Sequence, residues 1–564
     1  MADCVKEVPS DIVRITVDGK PVEVKKGTNL IEAAKQAGVD IPHYCYHPDL
    51  SVAGNCRMCQ ISVKGAPKLS IACNTPASDG MEVETHHTNK DVADAQAATL
   101  EFILINHPLD CTVCDQAGHC KLQDYHFEYN ARASRFVEEK VHKIKALPLG
   151  PNVMLDGERC IMCTRCIRFC DEVTKTSELG MLNRGDQSVI AVSPGRELDN
   201  PLSGSVVDLC PVGALTHRKW RFNTRIWFTK QTDTICAGCS TGCNVKVAER
   251  DGQVVMVKGR RNESVNKEWL CDEGRYGFNA YLPKERIQRP LTNGESEIGS
   301  TDFTTVVSAI VKQIKTLAIV VSPHLLLEEY FLLKQILMRI GSSARVVMGY
   351  RHHDRTDTEK ILVSPDRAGN FRAAQMVGLI GANPEEAYDE MLGKIRRKEL
   401  DNILVIGDRA FDPSDVDDAL TEGLRTASLS VGLFTDARSA LSSAVKVVLP
   451  GRSLLEQSGL MVNRELRLQY AQAVTELVDG TVPAWRFLAY IAKEVGVPVF
   501  KEDPNVLSDR EVTRWYLAAD PVLTRQQFSI AQIKAGGIDL EQLVTKVAPE
   551  VSQSNVAEGA SSPA

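Results

Sequence analysis

Residues 11–26, DIVRITVDGKPVEVKK, alternate apolar and polar side chains on either side of Asp18-Gly19. A period of two around such a dipeptide predicts a β-hairpin with a tight primed turn. Asn29 then stands at the N-cap of a short helix, with Glu32 three residues on and Gly38 to stop it. A second helical period covers residues 91–106, with Val92, Ala95, Leu100, Ile103 and Leu104 broadly on one side, and ends at His107-Pro108. Residues 171–209 read as a hydrophilic loop with a short apolar piece at 189–192. Alternation returns at 244–249 and 254–258, around Asp251-Gly252, and predicts a small β-unit. From about Leu317 apolar runs at 317–321, 376–380, 403–406 and 429–434 alternate with helical stretches at 325–340 and 414–426. Short buried strands separated by helices predict a doubly wound α/β domain. Gly381 and Gly407 follow two of these runs, where such sheets bind ligands, but neither begins a G-x-G-x-x-G cradle. The tail from Ser552, rich in Ser, Ala, Glu and Pro, is expected to be disordered.

A chain of 564 residues should hold several domains. Its 43% hydrophobic and 25% charged residues are ordinary for a globular protein. A net charge of -7 suggests neither nucleic acid nor an anionic membrane surface as a partner. No run reaches the ~18 apolar residues of a membrane-spanning helix, and residues 1–10 carry no secretion signal. Cysteine changes the picture. All seventeen lie between Cys4 and Cys271, and such clustering in a large chain reads as metal ligation rather than a disulfide framework.

The stretch RCIMCTRCIRFCD at residues 159–171 sets Cys160, Cys163 and Cys166 three apart, and Cys210-Pro211 follows downstream. That is the C-x2-C-x2-C…C-P ligation of a [4Fe–4S] cluster. Cys170 extends the string, but Asp171 follows it where proline follows Cys210, so Cys210 is read as the fourth ligand and Cys170 as a buried thiol. Cys45, Cys56, Cys59 and Cys73 follow the predicted hairpin and helix, which is the layout of a plant-type ferredoxin with a longer first gap, and suit a [2Fe–2S] cluster. Cys111, Cys114 and Cys120 have no fourth thiol nearby. His107 can fill that corner of a [4Fe–4S] cluster; His119 competes, but it adjoins Cys120, and adjacent residues point apart. Cys236, Cys239, Cys243 and Cys271 fit a third [4Fe–4S] cluster. These sets use fifteen cysteines and leave Cys4 and Cys170. Structural zinc is the alternative at each.

In this order the sets resemble the large, 75-kDa-type iron–sulfur subunit of respiratory complex I, NADH–quinone oxidoreductase. The resemblance covers residues 11–285 and is most specific in HPLDCTVCDQAGHC and RCIMCTRCIRFC…DLCPVGAL. The set ending at Cys271 is similar to the extra cluster that only some bacterial members keep. More faintly, residues 456–469, EQSGLMVNRELRLQ, resemble the molybdopterin-oxidoreductase motif E-x-x-G-T-F-x-N-x-E-G-R-x-Q, with Leu460 and Leu466 in place of the threonine and second glycine. No cysteine follows Cys271 to hold molybdenum, so a degenerate scaffold with no molybdenum cofactor is expected.

The expected architecture is an α/β multidomain chain. A plant-type ferredoxin (β-grasp) domain with [2Fe–2S] occupies 1–85, a His/Cys-ligated [4Fe–4S] domain 86–145, and a [4Fe–4S] ferredoxin-like domain 146–228. A molybdopterin-oxidoreductase-type [4Fe–4S] domain follows at 229–286, the degenerate molybdopterin-oxidoreductase-like α/β domain at 287–550, and the tail at 551–564. The chain would thus carry one [2Fe–2S] and three [4Fe–4S] clusters and no catalytic residue. The resemblance implies that electrons arrive from a flavin-bearing NADH-oxidising subunit at the Cys45 set. They pass to the Cys160 set, then the His107 set, and leave to a two-cluster ferredoxin-like subunit nearer the quinone, with the Cys271 cluster off that route. It also implies a peripheral place on the cytoplasmic side of the bacterial inner membrane, held through other peripheral-arm subunits. The alternative is the electron-input subunit of an NAD-linked formate dehydrogenase or hydrogenase, which shares the front modules but needs further metal ligands that the sequence lacks. A zinc-stapled scaffold and a free-standing molybdenum enzyme are the remaining readings.

Overall fold

The alternation at the start of the chain forms β1 (Ile12–Val17) and β2 (Lys20–Lys25), antiparallel, with Val17 opposite Lys20. Asp18 and Gly19 both take positive φ, 50° and 76°, as a primed turn requires. The computed structural model describes residues 11–130, 132–282, 285–292, 296–297, 302–341, 345–349, 362–364, 366–367, 369–381, 383–407, 418–520, 523 and 528–541. It divides into two compact units, Met1–Thr229 and Lys230–Ala564. The expected tail and Cys4 lie outside the described residues.

In the first unit, α1 (Leu30–Gln36) begins where the Asn29 side chain accepts from the Ile31 and Glu32 amides, and stops at Gly38. With β3 (Gln60–Val63), β4 (Ser70–Ile71) and β5 (Glu82–Glu84) the hairpin completes a sheet of order β2-β1-β5-β3-β4. Val13, Ile15 and Val17 pack on Leu30, Ile31 and Ala34 beneath it. The next helix, α2 (Lys90–Leu104), buries Val92, Gln96 and Leu100, while Ala95, Ile103 and Leu104 are half-buried. The inward stripe therefore includes a polar residue, because Gln96 Nε2 donates to the Gln60 carbonyl at 2.9 Å. Then come α3 (Lys121–Tyr129), β6 (Leu147–Pro148), β7 (Val153–Leu155) and α4 (Arg165–Arg168).

The expected loop at 171–209 is instead a hairpin, β8 (Leu179–Leu182) with β9 (Val189–Val192), followed by α5 (Ser205–Leu209). Met181 and Leu182 are exposed on it, so no two-residue period marks β8 in the sequence. β10 (Leu215–His217) closes a three-stranded sheet with β7 and β6.

The second unit opens with β11 (Lys230–Ile235), β12 (Asn244–Arg250) and β13 (Gln253–Gly259), an antiparallel sheet leading to α6 (Asp272–Tyr276). The first strand escaped the sequence reading because its inward residues include Thr232 and Thr234 rather than an apolar series.

Beyond it lie β14 (Leu291–Thr292), β15 (Ser296–Glu297), α7 (Asp302–Gln313), β16 (Ala318–Val321), α8 (Leu327–Ile340) and β17 (Arg345–Met348). They are followed by α9 (Phe371–Met376), α10 (Pro384–Arg396), β18 (Asn402–Ile406), α11 (Asp418–Thr426), β19 (Leu429–Phe434) and β20 (Val447–Pro450). The strands form one sheet of order β15-β14-β20-β19-β18-β16-β17, parallel from β20 to β17. β16 is apolar throughout because both faces are covered: Ile319 and Val321 enter one core, Ala318 and Val320 the other.

The apolar run at 376–380 is not a strand. It ends α9 and turns, with Ile380 packed into the core, so Gly381 follows no strand. A short buried run looks alike in either setting. Gly407 does follow β18. Strand order reverses at β16, where ligands bind in such sheets, but residues 408–417 beyond Gly407, including the start of the helix expected at 414–426, lie outside the described residues. The chain continues through β21 (Gly459–Val462), β22 (Arg467–Ala471), α12 (Ala484–Glu494), α13 (Asp509–Ala519), α14 (Ile530–Gly536) and β23 (Ile538–Asp539). Among the described residues no helix is long and apolar enough to cross a membrane.

The turn at Asp18 gives a test of the first unit. Burial disfavours its charge, but Thr85 and Thr88 donate to the carboxylate at 2.6–2.7 Å and hold its pKa below the usual value. Asp18→Ala should lower the local stability of the hairpin by about 1–3 kcal/mol, read by native-state hydrogen exchange over Ile12–Lys25. A lowered folded pKa contributes stability above the unfolded value of about 3.9 that is lost as pH falls through the folded one, so the two proteins should converge in acid.

Candidate metal centres

All sixteen described cysteines are free thiols. Set A is Cys45, Cys56, Cys59 and Cys73. It lies on the loop after α1 and on the turn after β4, where the sheet brings the two segments together. The thiols meet two by two: Cys56 hydrogen-bonds Cys45, and Cys59 hydrogen-bonds Cys73. Those bonds hold Cys45 and Cys73 below the ordinary thiol value. Two irons that each require two thiolates would ask for such a pairing.

Set B follows α2. His107 is buried, and burial together with the Arg159 charge pushes its pKa down to about 4, leaving the neutral imidazole that metals require. Its Nδ1 makes no hydrogen bond among the described residues. His107, Cys111 and Cys120 line one cavity of about 930 Å³. Cys114 is buried at the other side of the loop, where Arg225 donates to the carbonyls of Cys114 and Thr112 and the Phe222 amide donates to Asp115 at 3.0 Å. The competing His119 is not among the residues lining that cavity.

Set C is Cys160, Cys163, Cys166 and Cys210. Between the first three, Met162 and Thr164 take left-handed φ of 52° and 60°. That is strain stored in the ligand loop. Burial pushes Cys160 up to about 11 and Cys210 to about 12, and Cys166 is raised further by its neighbours Cys163, Cys160 and Cys210. The four thiols are neighbours, Cys166 buried and the other three half-buried. Cys170, at 0% exposure, is the buried thiol expected.

Set D, in the second unit, sits where β11 meets β12. Cys236 and Cys243 flank that turn and bond through the main chain at 2.8 Å. Cys271 caps α6, its Sγ accepting from the Gly274 amide at 3.2 Å. An added Cβ at Gly274 would lie 3.1 Å from Cys236 Sγ and 3.2 Å from Cys271 Sγ. The intervening loop is pinned by the hairpin β21–β22, where the Arg464 amide donates to the Ser240 carbonyl and Asn463 Nδ2 to that of Thr241.

Within the first unit direct contacts join set A to set C and set C to set B, while the Tyr44 ring lies near both Cys56 of set A and Cys120 of set B. Between A and C, Arg168 donates to the carbonyls of Cys45 (2.6 Å), Cys163 (3.2 Å) and Ser51, and Arg165 to those of Leu209 (3.3 Å) and Tyr46. Asn55 Nδ2 reaches the Met162 carbonyl at 3.1 Å. Between C and B, Cys120 Sγ lies 3.9 Å from the carbonyl of Pro211, the residue after Cys210. The sequence reading missed both arginines; their one signal is a three-residue spacing interleaved with ligand cysteines.

Among the described residues no three His, Cys, Asp or Glu side chains converge on a point fit for a single ion. A cluster core, with irons and sulfides between the thiolates, asks for a wider cage. The thiol sets, buried or half-buried apart from the exposed Cys111, suit such cores chemically, because burial that penalises free thiolates is offset when iron takes the place of their protons.

Comparison with known proteins agrees with the order of the sets. Residues 10–88 match a 2Fe-2S iron-sulfur cluster binding domain, and residues 96–135 the NADH-ubiquinone oxidoreductase-G iron-sulfur binding region. Residues 150–216 match the ferredoxin-like domain of NADH-quinone oxidoreductase subunit 3, and 229–281 the molybdopterin oxidoreductase Fe4S4 domain. The G-type NADH-quinone oxidoreductase subunit of Rickettsia conorii is 34% identical over 66% of this chain and 56% of its own length. The mitochondrial NADH dehydrogenase [ubiquinone] iron-sulfur protein 1 of Solanum tuberosum is 36% identical over 67% of this chain and 51% of its own. The mitochondrial NADH-ubiquinone oxidoreductase 78 kDa subunit of Neurospora crassa is 34% identical over 70% of this chain and 54% of its own. The chain thus spans little more than half the length of these curated relatives. A chain of an NAD+-reducing [NiFe]-hydrogenase aligns with a TM-score of 0.33 at 26% identity, over 38% of this chain and 91% of that one.

The CPVG turn supplies a test. A Cβ on Gly213 would fall 2.1 Å from Cys114 Sγ. Gly213→Ala should therefore displace that thiol and remove the iron of set B alone, read as a drop in iron content with the spectra of the other sets retained. Full iron content in the variant would show that Cys114 is not a ligand.

Proposed function

The chain is a relative, over 66% of its length, of the G-type, 75-kDa iron–sulfur subunits of NADH-quinone oxidoreductase, and on that premise we propose that it is an electron-carrying subunit of such a complex. It takes electrons from a flavin-bearing NADH-oxidising partner and passes them to a two-cluster ferredoxin-like partner nearer the quinone, binding neither NADH nor quinone itself. We assign set A to one [2Fe–2S] cluster and sets B, C and D to one [4Fe–4S] cluster each, with His107 the non-thiolate ligand. Iron–sulfur clusters supply one-electron chemistry at potentials tuned by ligand type, charge and exposure.

The observation that carries the route is the continuity of contacts A to C to B. Arg165 and Arg168 tie the loop of set A to that of set C, and Pro211 joins Cys210 of set C to Cys120 of set B. The protein's part is to hold the sets at fixed separation and to keep water from them. Set D stands in the second unit and serves as a structural support off the route.

The second unit we read as a degenerate molybdopterin-oxidoreductase scaffold. Supporting this, its motif residues are engaged inside the fold: Glu456 pairs with Arg286 and accepts from the Ser453 amide, while Asn463 ties down the set D loop. No molybdenum cofactor is expected. The place proposed is peripheral, on the cytoplasmic side of a bacterial inner membrane, held through partner subunits.

The protein prepared without air should contain ~14 iron atoms per chain, from one two-iron and three four-iron cores, with matching acid-labile sulfide. Zinc without sulfide would overturn the relay. His107→Cys should keep the set B cluster and lower its potential, since thiolate in place of imidazole disfavours reduction. An EPR-monitored redox titration reads the shift, and an unmoved potential would count against His107 as ligand.

A further inference from the structure

Arg165 and Arg168 are 7% and 9% exposed, deep between sets A and C. A guanidinium keeps its charge in a protein, and burying it without an anion is costly. Two other arginines at low exposure have carboxylates: buried Arg159 pairs with Asp110 and Asp156, and half-buried Arg286 with Glu456. Arg165 and Arg168 form no ion pair among the described residues. Their partners are main-chain carbonyls and the Thr164 hydroxyl, which are neutral. The charge-bearing groups around Arg165 are Cys163, Arg168, Cys210 and Cys45, and Arg168 faces Cys45 and Cys163, so the two cations also face each other and the only groups among these that can become anionic are thiols. Protonated thiols compensate no cation. Thiolates bound to iron do, because a core held by four thiolates is net anionic and becomes more so on reduction.

We propose that Arg165 and Arg168 are the shared counter-charge of two anionic iron–sulfur cores, one on set A and one on set C, raising both potentials together. The inference rests on the cluster assignment made above and deepens it. Each arginine touches both ligand loops, Arg168 through Cys45 and Cys163 and Arg165 through Tyr46 and Leu209, so one side chain acts on two redox centres. An added electron on either core is stabilised by the same fixed cations, which favours transfer between them without reorganisation of solvent. These are positioning residues: they act on the cores through charge and through the ligand loops.

The test is an EPR-monitored redox titration of the full chain, isolated with its clusters, comparing wild type with Arg165→Gln, Arg168→Gln and Arg168→Lys. Each glutamine variant should make reduction of both the set A and set C cores harder, by on the order of ten-fold in the reduction equilibrium, the weight of one unit charge at such depth. Sets B and D should be unmoved, and Arg168→Lys, which keeps the charge, should titrate near wild type. A merely structural role would change iron content without this paired shift. Full iron with unchanged potentials in both glutamine variants would overturn the proposal, as would a lysine variant shifted as far as the glutamine one. If the glutamine variants fail to load iron, Arg168→Lys decides: loading and potentials near wild type support the counter-charge, and failure to load overturns it. Wild-type protein without iron and sulfide would instead sink the cluster assignment itself.

Discussion

A thiolate shut away from water is unfavourable unless a cation faces it, and that constraint shapes both units of this chain. Sixteen described thiols are free, and those of set C together with Cys236, Cys243 and Cys271 of set D are pushed toward their protonated forms by burial. Polypeptide alone gives no reason to gather neutral thiols in fours; an apolar core of the same volume would be the more favourable filling. The reason comes from what replaces their protons. Once iron does so, the burial that penalised the thiolates becomes the low-dielectric, water-poor setting in which a potential can be set by nearby charges and bonds.

The loops carry the strain of this arrangement locally. Met162 and Thr164 hold left-handed backbone that side chains other than glycine rarely adopt, and Arg57 does the same inside set A at φ 59°. Such strain persists where the surroundings over-determine it. Here those surroundings are the hydrogen bonds on either side: Asn55 on the Met162 carbonyl, Arg168 on that of Cys163, Arg225 on those of Cys114 and Thr112. The sheets and helices of the first unit serve as the frame from which these side chains reach.

Spacing made the ligand candidates legible, because convergence on a small inorganic core demands cysteines two or three apart. The first hairpin and α1 were legible for a similar reason, since turn and cap chemistry is local: Asp18-Gly19 and Asn29 carry it in one or two residues. What stayed hidden depends on partners far away in sequence. Gln96 is buried because it meets the Gln60 carbonyl, β8 pairs with β9 while exposing Met181 and Leu182, and 376–380 packs on the core from a turn. Arg165 and Arg168 belong to the same class. Apart from their spacing among the cysteines, nothing local distinguishes them from the solvated arginines that usually accompany a polar loop.

The two junctions between neighbouring sets are built differently, although both join segments far apart in sequence. Set C meets set B through a main-chain contact across 91 residues: Cys210 belongs to one, and the carbonyl of the next residue, Pro211, lies against Cys120 of the other. Gly213 permits the close approach because a Cβ there would strike Cys114. Set A meets set C through segments more than a hundred residues apart, as Asn55 with Met162 and Ser51 with Glu172 show. Here side chains span the gap, and long planar guanidinium groups with several donors each suit the task. Lysine, a point charge on a flexible stem, would supply the cation without the fork. The clamp therefore stands at the junction bridged by side chains rather than by close main-chain approach, and its charge is of the sign that two anionic cores, on the assignment proposed above, require.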